Sequence, residues 1–251
     1  MDKGLTLDIT YLATFIITFV ASVMSGMAGG GVSFVTTPFW LVLGMTPAQG
    51  GATGAFMATG MSLSSVAAFR KSGHIPKDKL LFCILSIVTL LASILGAIIV
   101  PMINVELFKT VMAVVTILAL PLLFLRPNTK YNLKEYKAVG YILAALLMTI
   151  GSVIISGAFS ILFTLTLVFF FGMSVLQTTA MKRILFFVQS VVLLIGFTVQ
   201  GFLIWQYAIS GFLGGILGAY IGTKYAIKKG ETFAKYALAT MSLVGAIALL
   251  A

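Results

Sequence analysis

Acidic side chains are scarce in this 251-residue sequence: 6 Asp and Glu stand against 16 Lys and Arg, and charged residues of both signs make up 9% of the chain. A soluble domain carries about 25%. There is too little polar side chain to cover a water-facing surface, which excludes a soluble globular fold. The single Cys83 excludes a disulfide framework and the paired thiols of a membrane redox carrier. One histidine, His74, leaves too few ligands for a zinc or haem site, so no metal or other cofactor is expected. The six acids, Asp2, Asp8, Asp78, Glu106, Glu135 and Glu231, fall in loops or tails. No carboxylate is therefore placed within an apolar run to relay protons or ligate sodium. A phosphate-binding glycine loop, a metalloprotease helix and a carboxylate pair are also missing, so an enzyme is not expected.

What fills the chain is apolar: 60% of residues are hydrophobic and the mean hydropathy is +1.14. Ten apolar runs are legible, at about 9–27, 32–45, 47–69, 80–102, 107–125, 138–158, 159–172, 174–199, 203–223 and 233–251. Most are near the ~20 residues that span hydrocarbon as a helix. The fold class expected is all-α and integral to the membrane. The first run reads as a permanent helix, since no cleavage site and polar mature domain follow it. The net charge of +10 does not point to nucleic acid, because the basic residues punctuate the apolar runs.

Lys and Arg are retained on the inner side during insertion. With the N-terminus outside, the inner loops hold 14 of the 16 basic residues, leaving only Lys3 and Lys109 outside. Both termini are thus expected on the outer face of a multi-pass cell-membrane protein. Two runs, Val32 to Met45 and Phe159 to Gly172, have only 14 residues each and reach ~21 Å as helix against a core of ~30 Å. Each either spans as a broken segment or returns with its neighbour as a re-entrant hairpin, and the side of every loop is the same either way.

An offset of 128 residues aligns Gly44-Met45 with Gly172-Met173, Gln49 with Gln177, Ala52 with Ala180, Ser62 with Ser190, Phe69 with Phe197 and Gly73 with Gly201. After a six-residue deletion, Ile94-Leu95-Gly96-Ala97 recurs as Ile216-Leu217-Gly218-Ala219. The chain therefore reads as two repeats, residues 1–125 and 138–251, joined by an inner linker at 126–137. Each repeat has about five helical segments and one short break. Five crossings separate equivalent helices, and an odd number inverts the second copy. Inverted repeats are the architecture of secondary transporters, with substrate held near the midplane at broken helices.

The first break is Ser25-Gly-Met-Ala-Gly29-Gly30-Gly31-Val-Ser33, followed by Pro38. Glycines expose backbone N–H groups, and a half-helix opening at Gly31 presents amides and a positive dipole end to an anion. Tight packing through small residues is the alternative. The second break, Ser156-Gly157-Ala158-Phe159-Ser160, keeps small residues without the triplet. Gln49 and Gln177 open the helix after each short run, where an amide can bind an anion or cap the chain. Thr53, Thr59, Ser62, Thr178, Thr179, Gln189 and Ser190 are polar positions on the same helices, some of which bond the carbonyl four residues back. Lys182 and Arg183 lie inside the 174–199 run. Cations at depth mark a pathway, whereas a helix starting near Met181 lets both snorkel to the inner headgroups. Arg70, Lys71, Lys77 and Lys79 read as a topological cluster.

Gly26-Met-Ala-Gly29-Gly30-Gly31 with Pro38, Gly51-Ala52-Thr53 leading to Arg70-Lys-Ser-Gly73-His74-Ile75, and Met181-Lys182 leading to Gln189 and Gly201 resemble the sulfite exporter TauE/SafE family of membrane transporters. The likeness spans nearly the whole chain. It departs from the family pattern at the second glycine motif and at Met181, where Thr is more usual. The resemblance implies a two-repeat carrier of a small sulfur-containing anion such as sulfite or an organosulfonate. The expected site comprises Gly29, Gly30, Gly31, Ser33, Gln49, Thr53, Ser160, Gln177, Lys182 and Gln189. The function expected is export of a small anion by alternating access. The residues leave open an anion channel on the same scaffold, or a non-transporting scaffold or assembly factor with basic inner loops as its docking face. The partners expected are a small anionic substrate and the lipid bilayer, with no nucleic acid; a homo-oligomer is compatible with the sequence.

Overall fold

The computed structural model describes residues 3–70, 72, 73, 75, 78–108, 110, 111, 114, 133–154, 157–230, 232, 233, 236, 237 and 240. His74, Lys71, Lys77, Lys109, Arg126, Lys130, Ser156, Glu231, Lys235 and most of the runs 107–125 and 233–251 lie outside the described residues. Eight α-helices are described from end to end: α1 (Lys3–Ala28), α2 (Ser33–Val42), α3 (Pro47–Arg70), α4 (Lys79–Ile99), α5 (Lys137–Ile154), α6 (Gly157–Phe171), α7 (Val175–Val199) and α8 (Trp205–Lys229). Single 3-10 turns follow α4 at Val100–Met102 and precede α5 at Leu133–Tyr136. Among the described residues there is no strand. Four stretches, Ile9–Ala28, Pro47–Arg70, Lys79–Met102 and Val175–Val199, are long and apolar enough to cross a membrane.

Helices α3, α4 and α7 begin where the sequence supplies a cap. Asp78 accepts from the Leu81 amide at 3.0 Å to open α4. Ser174 and Gln177 form a reciprocal box at the start of α7, with Gln177 N donating to Ser174 Oγ at 3.2 Å and Ser174 N to Gln177 Oε1 at 3.0 Å. Thr46 and Gln49 make the same two bonds at α3, at 3.3 and 3.0 Å, which satisfies two otherwise orphaned amides at each helix start. The short segments are confirmed as helices with corrected ends. α2 covers 10 residues, because Gly29 (φ 76°) and Gly31 (φ 87°) hold left-handed backbone before it and Gly44 (φ 78°) closes it. α6 starts at Gly157 and so is 15 residues long.

Lipid tails are as apolar as leucine, so close packing rather than exclusion of water holds such a bundle together. α1 and α3 both pack on α8, α4 packs on α5 and α7, and α3 and α7 pack on each other. The α1–α8 seam is built from glycine. A Cβ at Gly214, Gly218 or Gly222 would strike the backbone of Phe15, Phe19 or Val23, and one at Gly26 would strike Ala219 and Thr223. On the other side, Leu81, Leu85, Ala144, Met148, Phe163, Leu167, Met181 and Leu185 form one buried cluster across α4 to α7. Along α4, Leu91, Ile94, Leu95 and Ile98 face outward, as a lipid-facing surface requires. Several buried hydroxyls bond within their own helices: Thr18 to the Thr14 carbonyl at 2.7 Å, and Thr89 and Ser93 to the carbonyls of Leu85 and Thr89 at 2.6 Å each.

Candidate functional site

A cavity of about 160 Å³ lies among α2, α3, α5, α6 and α7. That is many times the ~10–15 Å³ that admits one water. Of the residues expected from sequence, Gly30, Gly31, Ser33, Ser160 and Gln189 line it. α2 brings its first turn to the wall. The amides of Gly31, Val32 and Ser33 have no protein acceptor among the described residues, whereas Phe34 N already bonds the Gly31 carbonyl at 3.0 Å. A helix start with open N–H groups and a positive dipole end favours an anion.

Arg183 completes this end of the cavity. It lines the wall at 2% exposure. Its Nη2 donates to the Ser25 carbonyl at 2.6 Å and to Ser25 Oγ at 3.2 Å, while Nε is buried without a partner. The same Ser25 carbonyl accepts from the amides of Gly29 and Gly30 at 2.8 and 3.1 Å. The guanidinium therefore holds the end of α1 at the break. No carboxylate pairs with it among the described residues. A buried charge without a counter-charge is costly and is stabilised by an incoming anion.

Lys182, fully buried at 0% exposure, points to the other break. Its Nζ donates to Ser160 O at 3.3 Å, Ser160 Oγ at 3.0 Å and Thr164 Oγ1 at 2.7 Å, so three acceptors meet its three hydrogens. Neither cation snorkels. α7 starts at Val175, a full two turns before them, and the two consecutive side chains diverge into the bundle. Lys182 still borders the site, since a Cβ added at Gly30 would lie 3.5 Å from its Nζ and collide with Ser160 Oγ.

The remaining expected residues sit around the cavity rather than on its wall. Gly29 lies under Thr179, whose side chain a Cβ would strike. Thr53 is fully buried with Oγ1 unpartnered. Gln49 and Gln177 are absent from the lining, and the Oε1 of each is engaged in its capping box. On the wall itself, Gln189 is tied by Nε2 to Ser152 Oγ at 2.8 Å. Ser190 accepts from Thr59 Oγ1 at 3.1 Å, bridging α7 to α3. Sequence reasoning missed Trp40, Ser25 as a partner of Arg183, and Phe159 and Phe163 as wall. Trp40 is 1% exposed, with its indole N–H in the wall and no acceptor. Only its neighbourhood to Pro38 on the short segment could have drawn attention to it.

The family model described as "Sulfite exporter TauE/SafE" matches residues 14–249. The chain is 27% identical over 248 residues to a "Probable membrane transporter protein" of Haemophilus influenzae, covering 97% of this chain and 94% of that one. It is 28% identical over 243 residues to "Probable membrane transporter protein ORF9" of Sinorhizobium sp, covering 94% and 91%. It is 24% identical over 237 residues to "Probable membrane transporter protein YfcA" of Escherichia coli K12, covering 92% and 86%. No solved structure matches.

Proposed function

The chain belongs to the sulfite exporter TauE/SafE family of membrane transporters, and from that premise we propose that it is a secondary transporter exporting a small anion, of the sulfite or organosulfonate class, across the cell membrane. The observation that carries this is Arg183, a buried guanidinium on the cavity wall with Nε unpartnered, beside the open amides of α2. The substrate site so proposed is Gly30, Gly31, Ser33, Ser160, Gln189 and Arg183. Gly29, Gln49, Thr53, Gln177 and Lys182 support it from outside the wall.

Alternating access follows from the proposed inverted repeat. Two observations support that arrangement. Left-handed glycines recur at the 128-residue offset, Gly44 with Gly172 and Gly73 with Gly201, as does the capping box. The packing partners also exchange between halves: α1 on α8 corresponds to α5 on α4, and α3 on α8 to α7 on α4. With both termini outside, Ser72 and Gln200 occupy equivalent turns on opposite faces. In a Cys83→Ala background, Ser72→Cys is labelled from inside and Gln200→Cys from outside by an impermeant reagent. Labelling of both from one side overturns the inversion.

Direction follows from electrostatics. Moving one negative charge out of a cell with a negative interior is favoured by about 2.3 kcal/mol per 100 mV. Proteoliposomes with a potassium diffusion potential, and no proton or sodium gradient, test this. Anion flux saturates and reverses with the potential; flux that follows only a cation gradient overturns uncoupled export.

A further inference from the structure

The indole of Trp40 is seated on glycine. A Cβ at Gly50 of α3 would lie 3.1 Å from Trp40 Cβ and 3.6 Å from Cδ1, one at Gly54 would lie 3.8 Å from Nε1, and one at Gly211 of α8 would lie 3.7 Å from Cη2. The ring therefore reaches across two helices that make room for it, and Phe39 packs against it at 5.1 Å between centroids. A phenyl ring could fill this cradle and leave no polar group unpaired. Tryptophan adds one N–H, and it is buried with no acceptor among the described residues. Folded proteins rarely bear the cost of such a donor. Gly50 and Gly54 have no side chain to offer it, and the carbonyls inside a helix are taken by the helix's own amides.

The cavity supplies the partner. Trp40, Gly50 and Gly54 all line it, and an indole N–H can only donate, so its partner there must be an acceptor. The other donors of the site are close by. Gly54 is one turn of α3, about 4.5 Å, from Met57, and Met57 packs on Val32, whose amide is one of the open ones at the start of α2. Two hydrogen bonds of about 2.9 Å, one from either side of an oxyanion, span that rise. We infer that Trp40 is a substrate-binding residue of the site proposed above, its Nε1 donating to an oxygen of the anion from the α3 side. The anion is then held by a charged donor on α7, backbone amides of α2 and one neutral donor seated against α3. A ligand with no acceptor on that side leaves the N–H buried and unpaired, and the site discriminates against it.

This inference rests on the reading of the cavity as an anion site, and the test separates the two. The chain has two tryptophans, so in Trp205→Phe protein, isotope-labelled at the indole nitrogen and purified in detergent, the single indole N–H resonance is that of Trp40. Sulfite and methanesulfonate are titrated into it, with binding followed in parallel by isothermal titration. The resonance is expected to move downfield as the site saturates, because the donor takes up an acceptor. Trp40→Phe keeps a ring in the cradle and removes the donor. Its affinity for sulfite is expected to fall about tenfold, while the unliganded protein is at least as stable to heat because the orphaned N–H is gone. If this variant does not fold, the resonance decides alone. A resonance that stays in place while the anion saturates, or Trp40→Phe binding sulfite as tightly as its parent, overturns the indole contact and leaves the anion site standing. Arg183→Gln is expected to abolish both the binding and the shift. No binding by either anion, or binding indifferent to Arg183→Gln, overturns the site and the contact together.

Discussion

Helices α3 and α7, which align at the 128-residue offset of the proposed repeat, pack on each other and open with the same capping box, yet they diverge two turns later. Where α7 carries Lys182 and Arg183, the 128-residue offset places Gly54 and Ala55 on α3. Both of these small residues line the cavity. One half therefore supplies space and the other supplies charge. On the proposed repeat, the two copies keep the entry of the helix, which any such helix needs, and differ where the site is proposed.

The largest expected break in this contrast is Arg183→Met. A hydrogen bond to a charged group is worth about 1.5–3 kcal/mol, so anion affinity falls roughly 10- to 100-fold. The unliganded protein is expected to be at least as stable, because an unpaired buried charge has been removed. Thermal unfolding with and without anion checks both halves of the statement. Filling the space on α3 comes next. Gly54→Leu is expected to lower affinity at least tenfold while leaving stability equal or higher, since Gly in a helix interior costs about 1 kcal/mol against Ala or Leu. Gly54→Ala, whose Cβ meets only Trp40 Nε1 at 3.8 Å, is expected to gain that stability and keep binding.

Lys182→Met sharpens the comparison between the two cations. All three of its hydrogens are engaged at the second break, so the loss in affinity is expected to stay below tenfold, about 1.4 kcal/mol, where Arg183→Met exceeds it. The smallest effect concerns what the halves share. Gln49→Ala and Gln177→Ala each remove one capping bond and are expected to lower stability by a similar ~0.5–1.5 kcal/mol, with affinity changed less than twofold. A larger loss of affinity in isothermal titration assigns the carboxamides to the substrate.

The apolar runs made most of the helices legible, because ~20 consecutive apolar residues have few other uses. The break before α2 was legible for a related reason: a glycine triplet is an unusual cost inside a helix. Boundaries were less so. The run at 203–223 continues as helix to Lys229, since a helix does not end where the hydrocarbon does. The depth of Lys182 and Arg183 was left open because run length alone does not say which end of a long helix sits at the interface. The bond from Arg183 to Ser25 joins residues 158 apart, and no local pattern announces it. Trp40 was illegible as wall because one more aromatic in an apolar run carries no signal until its neighbours are known.

The glycine seam between α1 and α8 also has a mechanical meaning. With the carbonyls of Phe15, Phe19 and Val23 seated where the side chains of Gly214, Gly218 and Gly222 would be, neither helix can roll or slide on the other without backbone striking backbone. The pair travels as a single strut. In the proposed alternating access, the change in which face of the bilayer the cavity opens to is expected at the joint of left-handed glycines, Gly29 and Gly31, where a few backbone torsions absorb the swing. The guanidinium that grips the strut's end at Ser25 is also the one assigned to the anion in the proposed site, so filling the cavity is expected to loosen the latch on the joint.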